Sequence, residues 1–199
     1  MSEPAAIDLF VEDRAHEEFL RALVERVARD VQRRVVVTIR SARGGHGRAI
    51  AELELYQRAV ASGSLGLRLP DLLVVGIDSN CSPWNRAVRG IRARVHQDFL
   101  DRTAVACPEP HIERWYLADP DSFAEVVGSR PRGGKRKCER ARYKRLLAEA
   151  VEKGGHTSPL GGIEFAPDLV AAMDLHRAGK MERSLKLFLD EATPLIKPK

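Results

Sequence analysis

Ile7-Asp8-Leu9-Phe10-Val11-Glu12-Asp13-Arg14-Ala15-His16-Glu17-Glu18-Phe19-Leu20 is the stretch from which the fold can be read. A short apolar run ends on a carboxylate, and an amphipathic pattern begins at once. Residues 5–12 read as a strand, and Asp13 as the cap of a helix running to about Asp30. Phe19, Leu20, Leu23, Val24 and Val27 give that helix one apolar face at 3.6-residue spacing. The acid therefore emerges where the strand hands over to the helix. Leu72-Leu73-Val74-Val75-Gly76-Ile77 repeats the arrangement and ends on Asp78-Ser79-Asn80.

Outward from these two turns, the order of elements follows. Residues 34–40 form a β-branched run and read as a second strand. The loop Ser41-Ala42-Arg43-Gly44-Gly45-His46-Gly47 leads to a helix from Arg48 to about Ala61, with Ile50, Leu53, Tyr56, Gln57 and Val60 on one side. The strand at 71–77 is continuously apolar, as expected when both faces are covered. Ser82 as N-cap and Pro83 at the first helical position start a helix expected to run to about Leu100. Residues 102–107 read as a short fourth strand. The βαβαβαβ order predicts a doubly wound four-stranded parallel sheet with right-handed crossovers. In such a sheet the strand ends share one edge, where ligands bind.

After Cys107 the pattern changes. Residues 111–119 read as a short helix. The next segment is basic: Arg130, Arg132, Lys135, Arg136, Lys137, Arg140, Arg142, Lys144 and Arg145, against Glu139. Gly133-Gly134 suggests a mobile loop, with a helix starting near Lys135. Residues 165–189 hold one or two helices. The expected division is an α/β domain over residues 5–120 and a basic helical extension over 121–199, packed on the same core.

The bulk properties exclude some classes. With 199 residues, 44% hydrophobic and 31% charged, the chain suits one domain with a sizeable core. No apolar run approaches the roughly 20 residues that span a bilayer, and the N-terminus has no secretory pattern, so a cytoplasmic location is expected. The cysteines Cys81, Cys107 and Cys138 are scattered and odd in number, which points to a reducing compartment and gives no zinc site. A net charge of +5 and a pI of about 9.3 favour polyanionic partners moderately.

The chemistry rests on Glu12 and Asp78. If their strands are neighbours, the carboxylates lie a few Å apart. Two such charges 4 Å apart repel by about 4 kcal/mol at an effective dielectric near 20. A shared proton or a cation relieves this. Oxygen ligands at a sheet edge suit Mg²⁺ or Mn²⁺, with Asn80 offering a carbonyl oxygen. The competing reading is that both acids cap nearby amides. Glu113, beside Trp115 and Tyr116, is a third candidate, for completing a metal site or orienting a water. Its alternative is a solvent-facing residue or an arginine partner. The basic residues from Arg130 to Lys144 suit a phosphate backbone, although charge runs are commonly solvated faces. Arg86, Arg89, Arg92 and Arg94 add to them. The Gly44–Gly47 loop lacks both Walker and dinucleotide spacing and reads as a connection. A nucleotide enzyme using it would place phosphate away from Glu12 and Asp78.

The strand–Glu turn, the later Asp-x-Asn turn and the element order resemble a TOPRIM domain, the metal-binding fold of topoisomerases, primases and OLD-type (overcoming lysogenization defect) nucleases. The chain also resembles small bacterial proteins with a TOPRIM-like fold, in which a segment like residues 108–119 follows the fourth strand. The resemblance covers roughly residues 5–120. It implies a TOPRIM/Rossmann-like fold, a divalent metal held by Glu12 and Asp78 with Asn80, and phosphodiester cleavage with Glu12, Asp78 and Glu113 as catalytic residues. It also implies a setting in bacterial defence or toxicity and a separate ATPase as a protein partner. Three positions depart from the pattern: Asn80 replaces the second acid, Asp13 a glycine, and His16 an acid four residues after the first Glu. A catalytically degenerate module that binds nucleic acid or protein is the alternative implied.

Overall fold

The computed structural model describes residues 3–42, 45–131, 137–139 and 141–198. Four strands, β1 (Ala5–Val11), β2 (Val35–Ser41), β3 (Leu72–Gly76) and β4 (Thr103–Ala106), form one parallel sheet in the order β2-β1-β3-β4. The expected α/β architecture is therefore present, and β1 and β3 are neighbours. Between the strands run α1 (Arg14–Asp30), α2 (His46–Ala61) and α3 (Trp84–Arg92). After β4 come α4 (Glu113–Tyr116), α5 (Pro120–Val127), α6 (Arg142–Lys153), α7 (Ala166–Ala172), α8 (Leu175–Met181) and α9 (Arg183–Ile196).

Side-chain alternation along the strands divides the interior in two. Ile7, Leu9 and Val11 of β1, with Leu72 and Val74 of β3, face a core shared with α1 and the C-terminal helices. Phe10, Leu73, Val75, Ile77 and Val105 face the opposite core, closed by Leu53 of α2, Val88 and Ile91 of α3, and Phe99. Both sheet faces are covered, which is why β3 is apolar at every position. Asp8 points into the second core and is satisfied there by Tyr56 Oη and, at 3.4 Å, by Arg40 Nε.

The helical expectations hold with local differences. Asp13 caps α1, accepting from the His16 amide at 3.1 Å. The third helix stops at Arg92 rather than near Leu100, and a 3₁₀ turn follows over Gln97–Arg102. The cause lies in α2: Gln57 donates to the Arg94 carbonyl at 2.9 Å and accepts from the His96 amide at 2.7 Å, taking groups that a continuing helix would use. Pro83, not Ser82, occupies the N-cap position. The helix expected to begin near Lys135 begins at Arg142. Gly133 and Gly134, the expected loop, lie outside the described residues. The C-terminal portion folds as three helices rather than one or two.

The cysteine reading needs correction. Cys81 and Cys138 form a disulfide with Cα atoms 5.6 Å apart, and only Cys107 is left free and buried. Spacing of 57 residues carries no pairing signal, whereas the fold brings the β3–α3 loop and the segment before α6 together. The loop before α2 also needs correction. Because β2 lies parallel to β1, with Ser41 in register with Val11, that loop leaves the same edge as Glu12 instead of pointing away from it.

Candidate functional site

The carboxyl edge of the sheet gathers acids and imidazoles from three connections. β1 ends on Glu12 and Asp13, and the first turn of α1 brings His16. β3 delivers Asp78. The segment after β4 supplies His111 and Glu113. That segment is tied back to the β3–α3 loop by Ser79 N–H donating to Pro108 O and by Trp84 Nε1–H donating to Cys107 O, both at 2.9 Å. It is fixed further by Tyr116 Oη on Ala15 O at 2.8 Å and Trp115 Nε1 on Ser184 Oγ at 2.9 Å. Aromatic residues that read as helix packing thus set the position of the two polar residues before them.

His16 sits on the buried face of α1 and is fully enclosed. Its Nδ1 lies 2.8 Å from Asp13 Oδ1, and its Nε2 lies 3.1 Å from Asp78 Oδ1. The second approach is an ion pair without hydrogen-bond alignment, and among the described residues neither His16 Nε2 nor Asp78 Oδ1 has a hydrogen-bond partner. The other Asp78 oxygen, Oδ2, lies 2.9 Å from His111 Nδ1. Glu12 accepts the Asp78 amide at 3.2 Å, so the amide-capping role weighed for it is realised. Glu113 is 2% exposed, with Lys144 Nζ 3.8 Å from its Oε1. It is not solvent-facing, and among the described residues its partner is this lysine rather than an arginine. Asn80 is exposed and adopts a left-handed backbone with φ of 46°.

The proton affinities follow from this placement. Burial would lower the His16 pKa, but the Asp78 and Asp13 carboxylates outweigh it and hold the imidazole well above its ordinary value. Burial acts to raise Asp78, and His16 and His111 overcome it, leaving Asp78 below the usual carboxylate range. Asp13 is likewise driven down, by its bond to His16 against its own burial. The hydrogen bond to Asp78 raises His111. Glu12 and Glu113 move the other way: burial, and then the repulsion of Asp78, push both up. The edge therefore holds two carboxylates fixed as anions and two that retain protons more readily.

A cavity of about 270 Å³ opens beside these groups, lined by Asp13, Arg14, Glu113, Lys144, Leu160 and Ile163. Another, of about 410 Å³, lies between α1, α8 and α9 and shares no lining residue with this edge. Of the basic residues expected to hold nucleic acid, Lys144 stands at the cavity. Arg130 pairs with Asp121, and Lys137 and Arg142 pair with Glu139 at 3.8 and 3.6 Å. Arg132, Lys135, Arg136 and Arg140 lie outside the described residues. On α3, Arg86 and Arg89 are exposed and Arg92 pairs with Glu191, while Arg94, past the end of the helix, pairs with Glu54.

The orphaned His16 and Asp78 atoms are the observation against which a metal can be tested. The imidazole is already held as a cation between Asp13 and Asp78, so an ion at this edge would rest on the oxygens of Asp78 and Glu12. Among the described residues, no three His, Cys, Asp or Glu side chains already converge on one point. The pre-placed portion is therefore two donors, not a closed cage. Asn80, expected as a supporting ligand, stands exposed in the loop beyond Asp78. His16 and His111 are the residues that the sequence reading passed over as site members. The signal for His16 was a histidine on the apolar stripe of an otherwise amphipathic helix, one turn after Glu12.

No family model matches the sequence, and no curated protein or solved structure gives a match. No helix among the described residues is long and apolar enough to cross a membrane.

Proposed function

We propose that the chain is a TOPRIM-like, metal-dependent nuclease that cleaves phosphodiester bonds in DNA or RNA. The observation that supports this most directly is the gathering of three carboxylates, Glu12, Asp78 and Glu113, with two imidazoles at the ligand-binding edge of a parallel sheet. In this reading Glu12 and Asp78 hold the ion, and His16, a cation between Asp13 and Asp78, orients Asp78. A divalent ion held there would supply charge to neutralise the phosphate and to acidify a water. The chain's own residues do the rest. Asp13 and His111 fix the orientation of His16 and Asp78 through their hydrogen bonds. Glu113, with raised proton affinity, exchanges a proton with the attacking water or the leaving oxygen. Lys144 and Arg14 face the cavity and hold phosphate oxygens.

The basic residues after Arg130 lengthen the track for the strand. A bacterial defence or toxin setting, a separate ATPase as partner and a cytoplasmic location belong to the same reading. The Cys81–Cys138 bond weakens the cysteine argument for that compartment.

A second reading, a module that binds nucleic acid or protein without cleaving, is favoured by one feature. Asp78 is flanked by two imidazoles, and Glu12 is already engaged by the Asp78 amide. Incubation of wild type, Glu12→Gln and Asp78→Asn with single- and double-stranded DNA and RNA, with and without divalent ions, separates the two. Metal-dependent cleavage lost in both variants supports the nuclease. Retention of the strands by metal-loaded wild type without any cleavage supports the module.

A further inference from the structure

We propose that the Cys81–Cys138 disulfide is a reversible latch, set by thiol–disulfide exchange, that holds the segment before α6 against the carboxyl edge of the sheet. The latch acts on the edge described above and rests on that site, but not on its cleaving phosphodiesters. Cys81 lies in the turn just beyond Asp78, and Cys138 in the stretch ahead of α6, with Cα atoms 5.6 Å apart. Both residues are exposed, so a reductant reaches the sulfurs without unfolding the chain. Exposed disulfides are the labile ones, and in a reducing compartment such bonds are made transiently.

Each sulfur is connected to Asp78, one along the chain and one through packed side chains. On the Cys81 side, Asn80 and Cys81 have φ of 46° and 68°, left-handed values that residues other than glycine adopt rarely. Around them, Ser79 N–H donates to Pro108 O at 2.9 Å and Ser82 N–H to Ser79 O at 3.0 Å. On the Cys138 side, Lys137 N–H donates to Tyr143 Oη at 2.9 Å. The Tyr143 ring lies 6.4 Å from the His111 ring, with the Arg114 guanidinium over it at 5.3 Å. His111 in turn holds Asp78 at 2.9 Å, and Lys144 reaches Glu113 at 3.8 Å. Neither cysteine belongs to a helix or strand that would keep it in place once the bond opens. Opening it lets Asn80 and Cys81 return to ordinary backbone and frees Lys137 from Tyr143. In the exchange a dithiol attacks one sulfur, the Cys81–Cys138 bond breaks and a mixed disulfide forms. The second thiolate of the dithiol then displaces the cysteine. Two electrons and two protons end on Cys81 and Cys138, and the dithiol leaves as its own disulfide. Glutathione disulfide drives the reverse.

Amide hydrogen exchange of the full chain, followed by NMR before and after dithiothreitol, tests the latch. Exchange times are kept short enough that β1 and α1 stay protected. The amides of Ser79, Ser82 and Lys137 are expected to exchange about tenfold faster after reduction and to recover with glutathione disulfide. Cys81→Ser and Cys138→Ser should show the fast rates with or without reductant. Should either variant fail to fold, reduction of the wild type decides. A bond that only restrains the unfolded chain leaves these three amides unchanged at short times, and that result overturns the proposal. So does a fast rate that glutathione disulfide fails to reverse. Binding of a fluorescein-labelled single-stranded DNA is measured on the same two forms. Weaker binding by the reduced form supports the latch acting on a strand at this edge. Redox-dependent exchange with neither binding nor cleavage in either form removes the nuclease reading alone. Cleavage with redox-independent exchange removes the latch alone.

Discussion

Gly76 shows how one residue's missing side chain sets the site. A Cβ there would lie 2.5 Å from Leu20 Cδ1, 3.2 Å from Val11 Cγ1 and 3.5 Å from His16 Cδ2. The bare strand end is what lets α1 lie close enough for His16 to reach Asp78. Gly76→Ala is expected to cost about 1–3 kcal/mol through overpacking, read as a lower urea midpoint at unchanged slope. A neutral result would show that α1 is free to shift. Asp119 offers a pH test at the same scale. Burial acts to raise its pKa, but Arg177, Ser122 and the Asp174 amide bring it down to about 2. The folded value lies below the unfolded one, so its contribution is complete above about pH 4 and disappears as pH falls toward 2. That contribution is at most about 2 kcal/mol, reduced by the solvent around half-exposed Arg177. Urea unfolding of wild type and Asp119→Asn should differ at pH 6 and converge near pH 2. A gap that persists at pH 2 would assign the effect to packing instead. Glu12 and Asp78 were legible at this scale because each ends an apolar run. His16 was not, because its partner Asp78 lies in another strand turn and becomes a neighbour only once β1 and β3 pair.

At the scale of elements, α4 and the segment before α6 are held to the site edge by specific ties. Tyr143 Oη accepts from Lys137 N–H and donates to Lys137 O, both at 2.9 Å, and Cys138 is bonded to Cys81 just beyond Asp78. Closing a loop of this length stabilises by about 2–4 kcal/mol. Reduction by dithiothreitol, or Cys138→Ser, is expected to remove that much from the unfolding free energy. The Cys107 thiol is pushed up to about 12 by burial and by nearby carboxylates, so iodoacetamide should label two cysteines after reduction and none before. Labelling of Cys81 and Cys138 in untreated protein would show that the bond is absent. The parallel strands and first three helices were readable from periodicity. The boundaries of α7, α8 and α9 were not, because they depend on a distant side chain. Asp119 accepts the Asp174 amide at 2.8 Å and so holds the chain extended between α7 and α8.

For the whole molecule, the layering explains both what was legible and what was not. A βαβαβαβ order fixes a covered parallel sheet, and continuous apolar strands follow from it. Nothing in that order says that the C-terminal helices will join α1 on one face, yet Leu185, Phe188 and Ile196 complete the core begun by Ile7 and Leu9. Their placement carries Ser184 to Trp115, and through it sets the segment bearing His111 and Glu113. The bond between Cys81 and Cys138 also makes a covalent ring that contains α3, β4, α4 and α5. One peptide cut anywhere within that ring produces two polypeptides that remain a single covalent object. Limited trypsin digestion of such a nicked protein should give one band on a non-reducing gel and two on a reducing one, so intact mobility without reductant is no proof of an unbroken backbone.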